Sequence, residues 1–208
     1  MATVDYATGR VYFASRRGGA GASLWCLELG PPSDALRLRW SRDLGADVDG
    51  SPVLRGWRVY VGDNTGKVWS IPATTGVGGY SRSVGVTAVK GFLFPDRGGR
   101  DLYAATDTEV VGLTDDSGLL LEKWRIPLAA PSIVLLQPGT TDLYVGVRDD
   151  GGGKASLLRI NAATGQVAAS AALETTPQYV GAPSLDTEYG VIHVGGEPGI
   201  LYAVQLPF

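Results

Sequence analysis

Apolar positions in this chain come in short alternating runs, not at helical spacing. Val, Ile, Leu, Tyr and Trp dominate the runs, and Gly, Pro, Asp and Asn bound them. In Lys67-Val68-Trp69-Ser70-Ile71 the alternation is that of a half-buried strand. One run recurs five times, as x-Val/Leu-Tyr-Val/Ala: Arg10-Val11-Tyr12-Phe13-Ala14, Arg58-Val59-Tyr60-Val61-Gly62, Asp101-Leu102-Tyr103-Ala104-Ala105, Asp142-Leu143-Tyr144-Val145-Gly146 and Val191-Ile192-His193-Val194-Gly195. Its anchors Tyr12, Tyr60, Tyr103, Tyr144 and His193 stand 48, 43, 41 and 49 residues apart. A period of about 40–50 residues holding several strands is the signature of a β-propeller.

Each repeat divides the same way. Strands are predicted at 3–5, 10–15, 23–29 and 36–44 in the first repeat, and at 51–54, 58–62, 67–71 and 78–84 in the second. The third gives 87–94, 101–105, 109–113 and 120–126, and the fourth 132–136, 142–147, 155–160 and 166–171. The fifth gives only 183–185, 191–195 and 200–206. Asp63-Asn64-Thr65-Gly66 reads as a tight turn with glycine at a positive φ. Two glycine-rich loops, 17–22 and 149–154, read as mobile. The expectation is an all-β propeller of four-stranded antiparallel blades in about five repeats, four complete and the last without its outer strand. Blade limits fall near 1–49, 50–85, 86–129, 130–180 and 181–208. Residues 1–208 then form one propeller domain, or the C-terminal section of a larger one of about 7–8 blades, with the missing strand upstream of residue 1. A five-bladed ring closed without that strand is the alternative.

Composition narrows the function classes. Hydrophobic residues at 44% supply a core, and charged residues at 19% argue against wholesale disorder. The 30 glycines and 12 prolines, without a triplet period, fit many turns and exclude collagen. A net charge of −3 disfavours nucleic acid as a partner. No apolar run is long enough for a membrane helix, so no membrane insertion is expected. The start, Met1-Ala2-Thr3-Val4-Asp5-Tyr6, shows no signal peptide. The compartment stays open, periplasmic or extracellular placement included, with any export signal lying outside these residues. One cysteine, Cys26, excludes an internal disulfide framework and a four-cysteine zinc site.

The third strands and their turns carry a family resemblance. Gly66-Lys67-Val68-Trp69-Ser70-Ile71-Pro72-Ala73-Thr74-Thr75-Gly76, Leu158-Arg159-Ile160-Asn161-Ala162-Ala163-Thr164-Gly165 and Gly199-Ile200-Leu201-Tyr202-Ala203-Val204 resemble the pyrroloquinoline-quinone-type repeat, roughly G-x-L-Y-A-x-D-x-x-T-G-x-x-x-W. In that family the tryptophan docks one blade on the next. Trp40 and Trp124 take this part in the first and third blades, Tyr80 replaces it in the second, and the fourth has lost it. The resemblance implies a non-catalytic branch, WD40-like in use, that binds a protein partner or another domain of the same polypeptide and carries no cofactor. The alternative it implies is a fragment of a quinone-dependent, calcium-containing dehydrogenase. Such enzymes often use a vicinal cysteine pair, which a single Cys26 cannot form.

The remaining candidate chemistry is sparse. Asp47-Val48-Asp49-Gly50 is a fragment of a calcium loop or a turn between blades. Asp149-Asp150-Gly151-Gly152-Gly153-Lys154 has the glycines of a phosphate loop without its Gly-Lys-Ser/Thr ending, and reads as a hairpin. His193, the only histidine, would have to serve any Ser-His-Asp triad, yet it sits in a strand register that favours packing. Cys26, in Leu24-Trp25-Cys26-Leu27, reads as a buried thiol. Arg37, Arg39 and Arg42, near Arg16 and Arg17, form a patch for anions or guard an edge strand. Trp57 lies in a turn, either as an exposed interface anchor or packed over a loop. No residue is assigned to catalysis, cofactor or metal.

Overall fold

In the computed structural model, residues 2–17, 21–30, 35–91, 93–96, 99–197 and 199–208 are described. Every element among them is a strand. The first sheet is β1 (Ala2–Asp5), β2 (Arg10–Ala14), β3 (Leu24–Gly30) and β4 (Ala35–Arg42). The second is β5 (Val53–Arg55), β6 (Arg58–Gly62), β7 (Lys67–Pro72) and β8 (Tyr80–Ser83), and the third β9 (Phe94–Pro95), β10 (Asp101–Ala105), β11 (Glu109–Asp116) and β12 (Leu119–Pro127). The fourth is β13 (Leu135–Leu136), β14 (Asp142–Val147), β15 (Ser156–Asn161) and β16 (Val167–Ala172). The fifth holds three strands, β17 (Ser184–Asp186), β18 (Val191–Gly196) and β19 (Ile200–Gln205). Each sheet is an antiparallel meander in which sequence neighbours pair.

The recurring second strands, β6 and β10 above all, begin and end where the repeat places them. The first strands of the second, third and fourth sheets are shorter than expected. For the third sheet, residues 87–94 were expected to pair, but only Phe94–Pro95 do, and Phe92 lies outside the described residues. The backbone ahead of it bonds elsewhere: Val84 N–H donates to Gly66 O (2.8 Å) and Val89 N–H to Asp63 O (3.0 Å). In the fourth sheet Ser132 is tied to Gly146 by its N–H and hydroxyl without strand geometry, leaving Leu135–Leu136 as β13. β8 starts late because Gly78 and Gly79 have φ of +74° and +96°. Of the loop expected at 17–22, residues 18–20 lie outside the described residues.

The chain divides into two compact units. The first contains residues up to Leu93 plus the hairpin tip Asp115–Leu120, and the second contains Phe94–Thr114 and the chain from Leu121 onward. Register explains the core of each. In the first unit Tyr12, Cys26 and Trp40 align across β2, β3 and β4 and share one face. That face packs on Val59, Val61 and Ile71 of the second sheet. In the second unit Tyr103 and Trp124 pack on Leu143, Val145, Leu158 and Ile160 of the fourth sheet. The opposite face of that sheet, with Tyr144 and Leu157, packs on Ile192 and Val194 of the fifth. Tyr144 also meets Phe208, ring centroids 5.8 Å apart.

Two tryptophans bind a sheet to the turn of the next, the first sheet to the second and the third to the fourth. Trp40 Nε1 donates to Ala73 O at 3.0 Å, and Tyr12 OH reaches the same carbonyl at 3.3 Å. Trp124 Nε1 donates to Ala162 O at 2.8 Å, with Tyr103 stacked on its indole. Both rings lie against a glycine of that turn. A Cβ on Gly76 would come within 2.5 Å of Trp40, and one on Gly165 within 2.8 Å of Trp124. Both glycines also have positive φ, +66° and +76°.

Trp124→Ala is expected to lower stability by about 3–5 kcal/mol, the cost of emptying a buried aromatic site. Gly165→Ala adds an indole clash to αL strain of about 1–2 kcal/mol. It is expected to cost clearly more than Gly139→Ala, where φ is also positive (+78°) but nothing lies within 4 Å of the new methyl. Urea unfolding midpoints measure both, and equal costs for the two glycines would remove the indole contact as the cause.

Candidate interaction surface

Position 115 breaks the repeat. The residue three places before the turn glycine is Ala73 ahead of Gly76 and Ala162 ahead of Gly165, but Asp115 ahead of Gly118. The residue that reaches toward this turn is Tyr80 in place of tryptophan. A tyrosine hydroxyl does not take the place of an indole N–H on a backbone carbonyl here; Tyr80 and Tyr60 both donate to the Asp115 carboxylate. Ser70 Oγ donates to it as well, at 3.1 Å. Tyr60, Ser70 and Tyr80 share one face of the second sheet because they align across β6, β7 and β8.

A carboxylate this buried needs a counter-charge. Arg58, also buried, provides it with Nε 3.6 Å from Asp115 Oδ2. The guanidinium donates to Ser70 Oγ from Nε and to Ser70 O from Nη2 at 2.7 Å. It lies 4.3 Å from the Tyr80 ring centroid and 4.7 Å from that of Trp57. Burial, then the Asp115 hydrogen bond, pushes both the Tyr60 and Tyr80 phenols above their ordinary pKa. They therefore stay protonated donors. Three hydroxyl donors and an arginine thus surround one carboxylate, and the cluster holds the geometry of the joint.

What the cluster presents outward is Trp57. Its indole is 66% exposed although one face rests on a buried cation. Its carbonyl accepts from Ala73 N–H at 2.9 Å, so the turn backbone is fixed too. The same turn of the first sheet carries Tyr6, 91% exposed, and that of the fifth sheet carries Tyr189, also exposed. The first strands of the first two sheets are neighbours, joined by the Thr3 hydroxyl on Pro52 O.

The other candidates prove to be engaged. Asp47 accepts Arg17 N–H at 2.7 Å, and Asp49 accepts from Arg16 Nε at 2.8 Å and Asn64 Nδ2 at 2.7 Å. Arg16, with Asn64 behind it, holds the Asp49 pKa low. In the 149–154 loop Asp149 accepts N–H bonds from Gly151 and Gly153, and Asp150 one from Gly152 and one from the Ser156 hydroxyl. The glycine amides that a phosphate would use are thus held by the loop's own carboxylates. Ser184 stands opposite the half-buried His193. The Asp186 carboxylate turns away to accept Glu188 N–H (3.0 Å) and Tyr189 N–H (3.2 Å), so the three form no relay. Cys26 is fully buried, and burial raises its pKa. Of the arginines proposed as an anion patch, four have partners, Arg16 on Asp49, Arg17 on Asp43, Arg39 near Glu28 and Arg42 on Gly76 O, while Arg37 is exposed on β4. A cavity of about 110 Å³ is lined by Asp96, Asp101, Tyr103, Thr140, Thr141 and Ala162, among others. That is well below the roughly 300 Å³ at which small-molecule sites begin.

No family model and no curated protein matches this sequence. Solved structures match its fold. BamB from Moraxella catarrhalis aligns with a TM-score of 0.70 at 15% identity, over 99% of this chain and 57% of its own. The computationally designed Ika8 protein gives 0.71 at 13% identity, over 99% and 57%. The β-propeller domain of Cps50 (Swd1) from Myceliophteria thermophila gives 0.65 at 11% identity, over 94% and 66%. The chain is therefore an all-β propeller built of antiparallel blades, and it spans less than two thirds of the length of each of these proteins.

Asp115→Ala strands the Arg58 charge and is expected to cost about 3–5 kcal/mol, read from chemical denaturation. Arg58→Met in the same chain should recover part of that loss. The phenols add a pH dependence. Their folded pKa values lie above the unfolded value of about 10, so the stability they contribute is complete below about pH 10 and is lost as pH rises through the folded values. Melting temperature should fall above about pH 10, and the fall should be shallower in Tyr60→Phe. An identical alkaline profile in that variant would remove Tyr60 as a source.

Proposed function

We propose that this chain is a non-catalytic propeller scaffold of the pyrroloquinoline-quinone-like repeat type, and that the Trp57 turn anchors a protein partner. The observation that carries this reading is an indole exposed to water while one face rests on a buried guanidinium. Large aromatic side chains dominate binding energy at interfaces. Fixing one before association removes the entropic cost of ordering it later. The indole-over-glycine docking of Trp40 and Trp124 supports the repeat type, since the resemblance implies that role for them. The carboxylates of the calcium-loop candidate accept from protein donors, Asp47 from the backbone N–H of Arg17 and Asp49 from the Arg16 side chain, and this supports the scaffold over a quinone-dependent dehydrogenase.

A photo-crosslinking residue at position 57, incorporated in cells of the natural source, is expected to yield one discrete protein adduct. The same residue at Val86, exposed in a different loop, should not yield it. With that partner purified, Trp57→Ala should weaken binding by ~10- to 100-fold and barely move the melting temperature. A rise in melting temperature on adding calcium and the quinone, with turnover of an alcohol, would overturn the scaffold reading.

A further inference from the structure

The first sheet has a face like those that receive a preceding blade, but among the described residues nothing buries it to the same extent. The joints above follow one rule: the tyrosine-bearing face of one sheet packs on the aliphatic face of the next. In the second sheet that aliphatic face is Val59 opposite Ile71 and Val61 opposite Trp69, with Val59, Val61 and Ile71 fully buried. In the fourth sheet it is Leu143 opposite Ile160 and Val145 opposite Leu158, and in the fifth Ile192 and Val194, all buried.

The equivalent positions of the first sheet are Val11 opposite Leu27 and Phe13 opposite Trp25. Their chemistry is that of the buried rows, and Phe13 and Trp25 stack at 6.1 Å with planes 4° apart. None of the four is buried. Register extends the row outward and inward. Val4 pairs with Val11 and is 42% exposed, and Leu38 pairs with Leu27 and is 58% exposed. Leu29 opposite Leu36 continues the strip, both about half exposed. An apolar strip crossing four strands is a binding surface or an aggregation liability.

We infer that this face receives a further propeller blade from outside these residues, one that presents a tyrosine from its second strand and an aromatic residue from its outer strand. The occupant follows from the rule of the joints: Tyr12 with Trp40 and Tyr103 with Trp124 are what covers this face elsewhere in the chain. A second copy is a poorer match. The exposed side of the fifth sheet offers His193 opposite Ala203 where those pairs stand, and no outer strand is present there among the described residues.

The test starts with the full chain. Val11→Lys is expected to leave the melting temperature within a few degrees and to reduce binding of an anilinonaphthalene sulfonate dye several-fold. Val59→Lys, at the equivalent covered position, should unfold the protein. If Val11→Lys were as damaging as Val59→Lys, the face would already be packed within the chain and the inference would be wrong. Sedimentation of the unmodified chain should show a monomer, or at most weak association without fixed stoichiometry. A defined oligomer that Val11→Lys dissociates would make a second copy the occupant and overturn the assignment.

A duplicated first sheet, residues 2–49, fused ahead of the full chain then supplies the Tyr12 and Trp40 face as a probe. It should raise the melting temperature and quench dye binding. Tyr12→Ala with Trp40→Ala in the added copy alone should abolish both effects. A folded fusion that leaves both readouts where they began would sink the proposal. None of these measurements involves Trp57, so their outcome is independent of the partner-binding reading.

Discussion

The structure depends on one contact that recurs at three of its joints: an aromatic donor on the outer strand of the first, second and third sheets reaching the turn of the next sheet. A four-stranded meander has two faces and cannot bury either alone. Stacking sheets buries the faces but does not fix their offset, since an aliphatic surface tolerates sliding. The indole removes that freedom. Trp40 and Trp124 each place a ring against a turn glycine and an N–H on one carbonyl, so area and direction are specified together. Positive φ at Gly76 and Gly165 is part of the same device, because the turn that lets the ring approach is one a side chain would block.

Where the ring is smaller, the device is rebuilt in another chemistry. Tyr80 brings a hydroxyl in place of an indole N–H, and Asp115 brings the acceptor outward from the backbone. A buried carboxylate then requires charge balance, which selects Arg58. The planar guanidinium in turn selects flat neighbours, Tyr80 on one contact and Trp57 on another. Each step follows from the one before, and the last places an aromatic at the surface. The exposed tryptophan is thus a by-product of solving a packing problem, and also a rigid feature on which binding can act.

The repeat was legible because its strongest signal, a tyrosine (histidine in the fifth copy) flanked by apolar residues every 41 to 49 residues, sits in the second strands, which are paired on both edges. The first strand of the third sheet falls short of the expected 87–94 for the opposite reason. Val89 has strand-like neighbours in sequence, but its N–H is taken by Asp63 O and its side chain fills the space over Gly62, so tertiary contact overrode propensity. Trp57 was legible as a turn aromatic, though sequence left its exposure open. The cluster beneath it was not, because Arg58, Ser70, Tyr80 and Asp115 are scattered over 58 positions and each has an ordinary local role. The available signal was a coincidence: aspartate where two other turns have alanine, together with tyrosine where two other outer strands have tryptophan.

The fate of the acidic residues bears on how such a scaffold can vary. Asp63 is fully buried and accepts from Thr65 N–H, the Thr65 hydroxyl, Lys67 N–H and Trp69 Nε1, closing the β6–β7 turn. Asp149, Asp150 and Asp186 do comparable work in their turns. Turns closed by their own side chains do not draw on the sheets for backbone partners. Tyr6, Trp57 and Tyr189 stand at corresponding turns in three different sheets, each exposed and each in a different local sequence. A fold that localises its stability at the joints leaves selection on these tips to be decided by what they touch.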